Sequence, residues 1–466
     1  MQQTELTAQS VLDAIQHLLE RLASLEAPES FVCAWLKTLA LPAEALLALG
    51  AALIGKGANE AACAVFAETA RRHADNPVAR HNHGVALQLL GRFDEAATAF
   101  RQAAALQSPE QGIASLSAEG VVLRQAGQLD AAEQLLRQAC ALGQDTPDIR
   151  WNLALTLLNA GKFGAAWPLY ESRYERPDKP SWAIMDETQW PMWRGEALAG
   201  KRLLVVGEQG LGDQIQFSSL LPLVAAQASE VEMLVSPGLP QLFAGLPGLK
   251  AVHAARPRHL DFDYWVYLLS LPLHLGLDTP AKLAPGPAPF TVDAVLAAKF
   301  AARLAAVAGG RLKVGLVWAG NPVHANDRFR SMQLDQLAPL LALDVCWVSL
   351  QRDLPARDQN SPWLPRLENL APELSSMADT AAALSQLDLL ISIDSAPAHL
   401  AASLNLPTWM FLPQNVDWRW PRDGETTFWY PTMRLFHQTR LGDWAAPLAG
   451  MRKQLARLST TPPTSR

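Results

Sequence analysis

Cysteine is scarce in this 466-residue chain: there are four, Cys33, Cys63, Cys140 and Cys346, and no two stand in a CxxC pair. The common zinc and redox spacings are therefore excluded, no metal site is expected, and free, mostly buried thiols are the reading. Charge is also modest, with 18% charged residues and a formal net charge of −6, which gives no electrostatic reason to expect nucleic acid or an anionic membrane as partner. No apolar run approaches the ~18–20 residues that span a bilayer. The first residues, MQQTELTAQS, lack a basic stretch followed by an apolar one, so no secretory signal is read there. These absences point to a cytoplasmic protein without a transmembrane segment. Hydrophobic residues are plentiful at 49%, and most of the 15 tryptophans follow residue 180. The length predicts two or three domains.

The first third is repetitive. Gly57, Gly91, Gly127 and Gly161 stand 34, 36 and 34 residues apart. Each is preceded at seven residues by Gly50, Gly84, Gly120 or Ala154, and followed at five by Ala62, Ala96, Ala132 or Ala166. Nine residues after each glycine come Phe66, Phe100, Leu136 and Tyr170. Small residues let antiparallel helices approach closely, and the large one is expected to fill the gap between neighbouring repeats. This pattern resembles the tetratricopeptide repeat, with four repeats over 43–177 and a helical N-terminal cap over 1–42. A Trp- and Pro-rich connector over 178–200 follows. Its Trp182, Trp190 and Trp193 are expected to pack the solenoid against the next domain, the alternative being a flexible linker.

Everything after the connector is organised around KRLLVVGEQGLGDQI, residues 201–215. An apolar run closed by Gly207 reads as a buried strand, and a glycine turn with Gly210 and Gly212 leads into a helix predicted over 214–227. Such a strand–turn–helix sets backbone N–H groups at the mouth of a sheet, where anions bind. Asp213 either caps that helix or points a carboxylate into a cleft. Further strands are predicted at 231–235, 264–268, 313–318, 345–349, 389–393 and 407–411. Helices are expected at 291–307, 333–342, 377–386, 396–404 and 441–458. This alternation argues for parallel α/β sheets. A second strand-and-glycine start at 313–322 divides the region into halves over 201–310 and 311–458, with a frayed tail over 459–466.

In open α/β sheets ligands bind beyond the C-terminal ends of the strands, which selects the loops at 207–213, 318–330, 349–353 and 394–399. They contribute Trp318, Gly320, Arg328, Arg330 and Gln351. Two arginines beside a helix start either suit a diphosphate, through forked guanidinium donors, or form a solvated turn. Asp394, Ser395, Ala396 and His399 follow a buried strand. They either cap a helix beside a core histidine or line a ligand site. Trp418, Trp420, Trp429 and Tyr430 either stack on a sugar or pack the returning C-terminal segment.

In order and spacing these segments resemble bacterial glycosyltransferase family 9, best known for ADP-heptose:lipopolysaccharide heptosyltransferases. The resemblance is closer still to bacterial chains that join such a domain to tetratricopeptide repeats. It implies an α plus α/β fold: an all-α solenoid, then a GT-B fold of two Rossmann-like halves. The N-terminal half would take the acceptor and the C-terminal half a nucleotide sugar. By that resemblance Asp213 is the catalytic base, while Arg330, Asp394, Ser395, Ala396 and His399 serve the donor's phosphates and sugar. Ala396 stands where the family has glycine, and Ser218-Ser219-Leu220 where the repeat-linked chains carry an Arg-Tyr pair. Catalysis would invert the anomeric centre without metal or cofactor. The repeats would recruit a protein or peptide acceptor, and self-association into a homo-oligomer is common for such surfaces. The alternative is a catalytically silent scaffold binding a protein partner. A dinucleotide enzyme fits poorly, because GEQGLGD is not GxGxxG.

Overall fold

The computed structural model describes residues 32, 34–36, 41–142, 145–176, 190–256, 261–324 and 326–459. Nearly all of the expected cap over 1–42 lies outside these residues, as do Trp182 and positions 460–466 of the expected tail. Ser459 ends the last helix. The chain divides into two compact units between Ala160 and Gly161.

The first unit is a run of antiparallel helix pairs. They are α1 (Ala43–Gly55), α2 (Asn59–Arg72), α3 (Pro77–Leu89), α4 (Phe93–Ala105), α5 (Ile113–Ala126), α6 (Leu129–Ala141) and α7 (Pro147–Asn159). The repeating glycines end the first helix of each pair in the left-handed region, with φ of +75° at Gly57 and Gly91 and +86° at Gly127. A side chain is strained there, which is why glycine recurs. A Cβ on Gly50 would lie 2.4 Å from the Phe66 ring, and one on Gly84 2.8 Å from Phe100. The large residue thus closes its own repeat, where the sequence reading placed it between neighbours. Asn76 and Thr146 cap α3 and α7 through Ala79 and Ile149 N–H, each with proline next in the chain. Neighbouring repeats are tied by His81 Nδ1 to Ser115 Oγ (2.9 Å) and Gln88 to Gln125 (2.9 Å).

The second unit begins with α8 (Phe163–Tyr170), followed by a 3₁₀ turn, Glu171–Tyr174. Trp167 donates its indole N–H to Leu277 O at 2.8 Å, and its ring meets Trp418 edge-on at 5.8 Å. Two parallel sheets follow. The first has strands β1 (Arg202–Val206), β2 (Glu230–Leu234), β3 (Ala251–His253) and β4 (Tyr264–Tyr267), in the order β3-β2-β1-β4. The second comprises β5 (Lys313–Val317), β6 (Cys346–Ser349), β7 (Glu368–Asn369), β8 (Leu389–Ile393), β9 (Thr408–Leu412) and β10 (Met433–His437), in the order β10-β9-β8-β5-β6-β7. Every strand pair is parallel. The second unit is thus built from two all-parallel α/β halves.

The central strands RLLVV, LLISI and TWMFL are buried almost throughout, as parallel strands covered on both faces require. That is why β1 and β8 fall on the predicted residues. β3, β7 and β10 were not predicted. β3 has three half-buried residues, β7 has only one half-buried and one exposed, and Arg434 and His437 interrupt the apolar pattern of β10.

The single helix predicted over 214–227 is instead three pieces. α9 (Leu211–Phe217) starts earlier, a 3₁₀ turn spans Ser218–Leu220, and a short helix covers Leu221–Ala225. Ser218 and Ser219 turn their hydroxyls back to Ile215 O (2.7 Å) and Gln216 O (2.9 Å), and Pro222 lacks a donor, so the α ladder lapses there. The predicted helix over 333–342 is likewise split, into Leu334–Leu337 and Ala338–Leu341. Elsewhere α10 (Ala294–Ala308), α11 (Met377–Leu384), α12 (Ala396–Ser403) and α13 (Ala445–Ser459) lie close to their expected places.

Trp190 and Trp193 belong to the second unit. Trp193 N–H donates to Trp265 O (2.7 Å), Trp265 N–H to Pro191 O (3.2 Å), and the Trp265 indole to Trp190 O (2.8 Å). This end of the connector therefore runs as an extra extended segment along β4, with Met192 bridging Trp265.

Candidate active site

The loop after β1 is shaped by close approach. A Cβ on Gly207 would lie 2.4 Å from Gln214 Oε1, and Gln209 takes the left-handed region at φ 59°. Gly210 then caps α9, donating its N–H to Asp213 Oδ2 at 2.8 Å. Asp213 therefore does serve the helix start. It has a second partner as well: Arg419 Nη2 donates to its other oxygen. The Asp213 side chain keeps 21% exposure, whereas that of Arg419 keeps 8%. The same guanidinium donates from Nε to Gln216 Oε1 (3.1 Å) and from Nη1 to Asp417 Oδ1 (2.8 Å). Burial opposes the charge of Arg419, and Asp213 and Asp417 outweigh it, so the cation is strongly held.

Glu208, at the other end of the loop, turns into the protein. Arg173 grips it with Nε to Oε2 (2.9 Å) and Nη2 to Oε1 (2.8 Å), and Leu269 N–H adds a third donor at 3.2 Å. Arg173 also donates to Ser270 Oγ (2.8 Å) and Glu171 Oε1 (2.7 Å). Burial pushes the Glu208 carboxyl up, against the pull of Arg173. Gln209 donates to Tyr170 Oη at 2.8 Å, so both residues between Gly207 and Gly210 are held by the segment that leads into the unit.

In the second half, Gly320 follows β5 and leaves room for a charged pair. Its Cβ would lie 2.5 Å from Asp327 Oδ1 and 2.8 Å from Arg330 Nη2. Arg330 donates from Nε to Asp327 at 3.2 Å and stays half-buried. Arg328 is exposed, its guanidinium over the Phe329 ring at 4.7 Å. Trp318 and Gln351 are buried beneath the loop. The Gln351 oxygen takes Trp318 N–H (3.1 Å) and Ala319 N–H (3.0 Å), its amide donates to Ala319 O (3.0 Å), and Trp318 Nε1 donates to Asp358 (2.8 Å). These two residues shape the loop from below.

After β8, Asp394 Oδ1 lies 3.6 Å from His399 Nε2. Burial alone would push the Asp394 carboxyl up. The hydrogen bond and charge of His399, with the charge of Arg330, outweigh it and hold the group at about 2. His399 Nδ1 meets Tyr430 Oη at 3.1 Å, and Trp420 lies against the imidazole at 5.3 Å between ring centroids. Ser395 makes no cap to α12; its hydroxyl pairs with Ser392 Oγ at 2.8 Å.

The two halves meet at α9 and α12, which pack together. A Cβ on Gly212 would lie 2.9 Å from His399 Cδ2 and 3.5 Å from Ala396 Cα. The structure thus brings Gly212, Asp213, Ala396 and His399 to one place, with Asp394 3.6 Å from His399 and Arg330 within electrostatic reach of Asp394. Trp418, Trp420, Trp429 and Tyr430 are all buried, with Trp429 Nε1 donating to Arg419 O (2.9 Å), so packing accounts for them. Arg419 and the Arg173–Glu208 pair were missed by sequence reasoning, as was the contact of Tyr430 with His399. For Arg419 the available signal was a lone cation among the tryptophans of DWRWP. Among the described residues no group of three or more His, Cys, Asp or Glu could hold a metal ion, and no helix is long and apolar enough to cross a membrane.

The fold and its meeting point define a class: a tetratricopeptide-repeat chain carrying a two-halved, parallel α/β unit. The family model for the tetratricopeptide repeat matches residues 81–145 and 117–181, so the chain carries these repeats. Among curated proteins it is similar to Protein FlbA of Caulobacter vibrioides, with 27% identity over 333 residues, 65% of this chain. The chain spans about half the length of that relative, 54%. Among solved structures it is similar to the ADP-heptose lps heptosyltransferase II of E. coli, at 14% identity and TM-score 0.39, covering 55% of this chain and 98% of that one. A glycosyl transferase family 9 structure from Veillonella parvula compares at 12% identity and TM-score 0.40, covering 56% and 97%.

Proposed function

We propose that the second unit is a glycosyltransferase that moves a sugar from a nucleoside-diphosphate sugar to an acceptor hydroxyl, with inversion and without a metal ion. One observation carries the reading: Gly212-Asp213 of the first half stands against His399 of the second, and His399 Nε2 lies 3.6 Å from Asp394 Oδ1. In this scheme the acceptor oxygen bonds to the anomeric carbon as the bond from that carbon to the diphosphate oxygen breaks. The electron pair leaves with the nucleoside diphosphate, and the hydroxyl proton passes to Asp213. Arg330 meets the charge developing on the departing diphosphate. Asp394, Ser395, Ala396 and His399 line the donor side, and Gly320 admits the Arg330 guanidinium close to the backbone. The repeats recruit the acceptor, a protein or peptide.

A calorimetric panel of ADP, UDP, GDP, CDP and their sugar conjugates tests this. Selective binding that is lost in Arg330→Ala supports the reading, and absence of binding by folded wild type refutes it. Asp213→Ala must then abolish transfer or donor hydrolysis; equal rates reject Asp213 as the base. A second reading, a silent scaffold whose repeats bind a partner, has one observation in its favour. Both Asp213 oxygens already accept hydrogen bonds, and Ser218 and Ser219 spend their hydroxyls on their own helix.

A further inference from the structure

Arg419 reaches from the loop after β9 to residues of the first half, 206 positions away at Asp213 and 203 at Gln216. Its side chain is 8% exposed and spends all three kinds of guanidinium nitrogen on oxygen: Nη2 on Asp213, Nε on Gln216 and Nη1 on Asp417. The Trp418 ring lies 4.4 Å below its Cζ. An arginine only donates, so the bond from Nε fixes which end of the Gln216 amide faces it. The Gln216 oxygen is thereby committed, and Gln216 Nε2, with the side chain 2% exposed, has no partner. A buried, unpartnered donor is costly and calls for an explanation. Gln216 follows Asp213 by three residues, which puts both on one side of α9.

We infer that Arg419 is a positioning residue of the acceptor side: it sets the Asp213 carboxylate and turns the Gln216 N–H outward from itself, a fixed acceptor and donor that suit a neutral, hydroxyl-bearing acceptor. The inference rests on the glycosyltransferase reading for its chemistry. It goes beyond that reading in making the first half's site depend on the C-terminal segment. A hydroxyl gives its proton to one partner and accepts from the other, and this pair offers both. An anionic acceptor is disfavoured, because Asp213 and Asp417 together outnumber the one cation that they share.

Hydrogen exchange in the full-length protein without ligand tests the positioning, and it needs no substrate. In Arg419→Met the Gly210 amide, bonded to Asp213, exchanges at least about tenfold faster, and Arg419→Lys restores part of the protection. Strands β8 and β9 keep wild-type exchange, which a general loosening would not allow. Hydrolysis of the sugar conjugate that binds in the panel supplies the second readout. Turnover falls about tenfold or more in Arg419→Met at unchanged donor KM, and in an Asp213→Asn background the same change adds nothing. Gln216→Glu, which keeps the oxygen for Arg419 and removes the free N–H, abolishes saturation-transfer signals from neutral serine- and threonine-bearing peptide probes while donor affinity holds.

Wild-type exchange at Gly210 in Arg419→Met, or additive losses of turnover, overturns the positioning. Neutral peptide probes that fail to bind wild type, or acidic peptides that bind as well, overturn the acceptor class. A panel in which no sugar conjugate binds sinks the glycosyltransferase reading, and the exchange result still stands or falls by itself.

Discussion

One seven-residue turn, Gly207 to Asp213, carries two carboxylates, and each is held by an arginine from a different part of the chain. Arg173 comes from the segment entering the unit and holds Glu208. Arg419 comes from the returning C-terminal segment and holds Asp213. The first pair is closed. Glu208 and Arg173 keep 8% and 7% side-chain exposure, and the carboxylate receives both guanidinium donors and a backbone N–H. The second pair is lopsided: the arginine is buried and shared among three oxygens, while Asp213 keeps 21% exposure. The same two residue types therefore make a fastening in one place and a poised group in the other. The difference lies in how many lone pairs the surroundings have already claimed.

The sharpest way to break this comparison is to remove one arginine. Arg173→Met leaves Glu208 buried without its partner and is expected to cost roughly 3–5 kcal/mol in denaturant unfolding. Adding Glu208→Gln to that variant should recover part of the loss; no recovery would mean that Arg173 acts through its other contacts. At Asp213 the effect moves from stability to rate. Asp213→Asn is expected to lower sugar transfer or donor hydrolysis by about 10²-fold, read in initial rates.

Acid reads a third carboxylate. Asp394 is held at about 2, below its ordinary value of ~3.9. A depressed carboxylate stabilises the fold above its unfolded value, and that contribution disappears as pH falls through the folded one. The loss should amount to about 2 kcal/mol between pH 4 and pH 2. His399→Ala should flatten this part of the stability profile, measured by unfolding at each pH. The smallest effect completes the contrast: Asp213→Asn should change unfolding free energy by about 1 kcal/mol or less, since the pair is part-exposed and Arg419 keeps Asp417 and Gln216.

The parts that were legible in the sequence are those where burial and periodicity are local. RLLVV and LLISI can hardly be anything but covered strands, and the recurrence of Gly57, Gly91 and Gly127 marks turns that need a left-handed residue. The loops at the strand ends followed from the parallel topology, and Asp213, Asp394 and His399 followed from the loops and the family resemblance. What failed to show was set by partners far along the chain. Glu208 meets an arginine 35 residues away and Asp213 one 206 away, and no periodicity connects them. Trp318 and Gln351 show a second kind of hidden partner. Their place in a strand-end loop suggested ligand contact, yet hydrogen bonding to the loop from beneath claims their polar atoms. The helix break at Ser218 lay in plain view as two serines before a proline, but hydroxyls bonding backwards do not register in an apolar pattern.

The extended residues beside β4 have a consequence for how this protein behaves among its own copies. The margin of a sheet offers a row of free amides and carbonyls on which a foreign strand can build. Here Pro191 and Trp193 occupy that row at Trp265, and the opposite margin is β3, only three residues long. A stretch of chain that joins two regions in sequence thus also denies a templating surface to strangers. Cutting the connector before Trp190 would leave that protection in place, and cutting it after Trp193 would remove it.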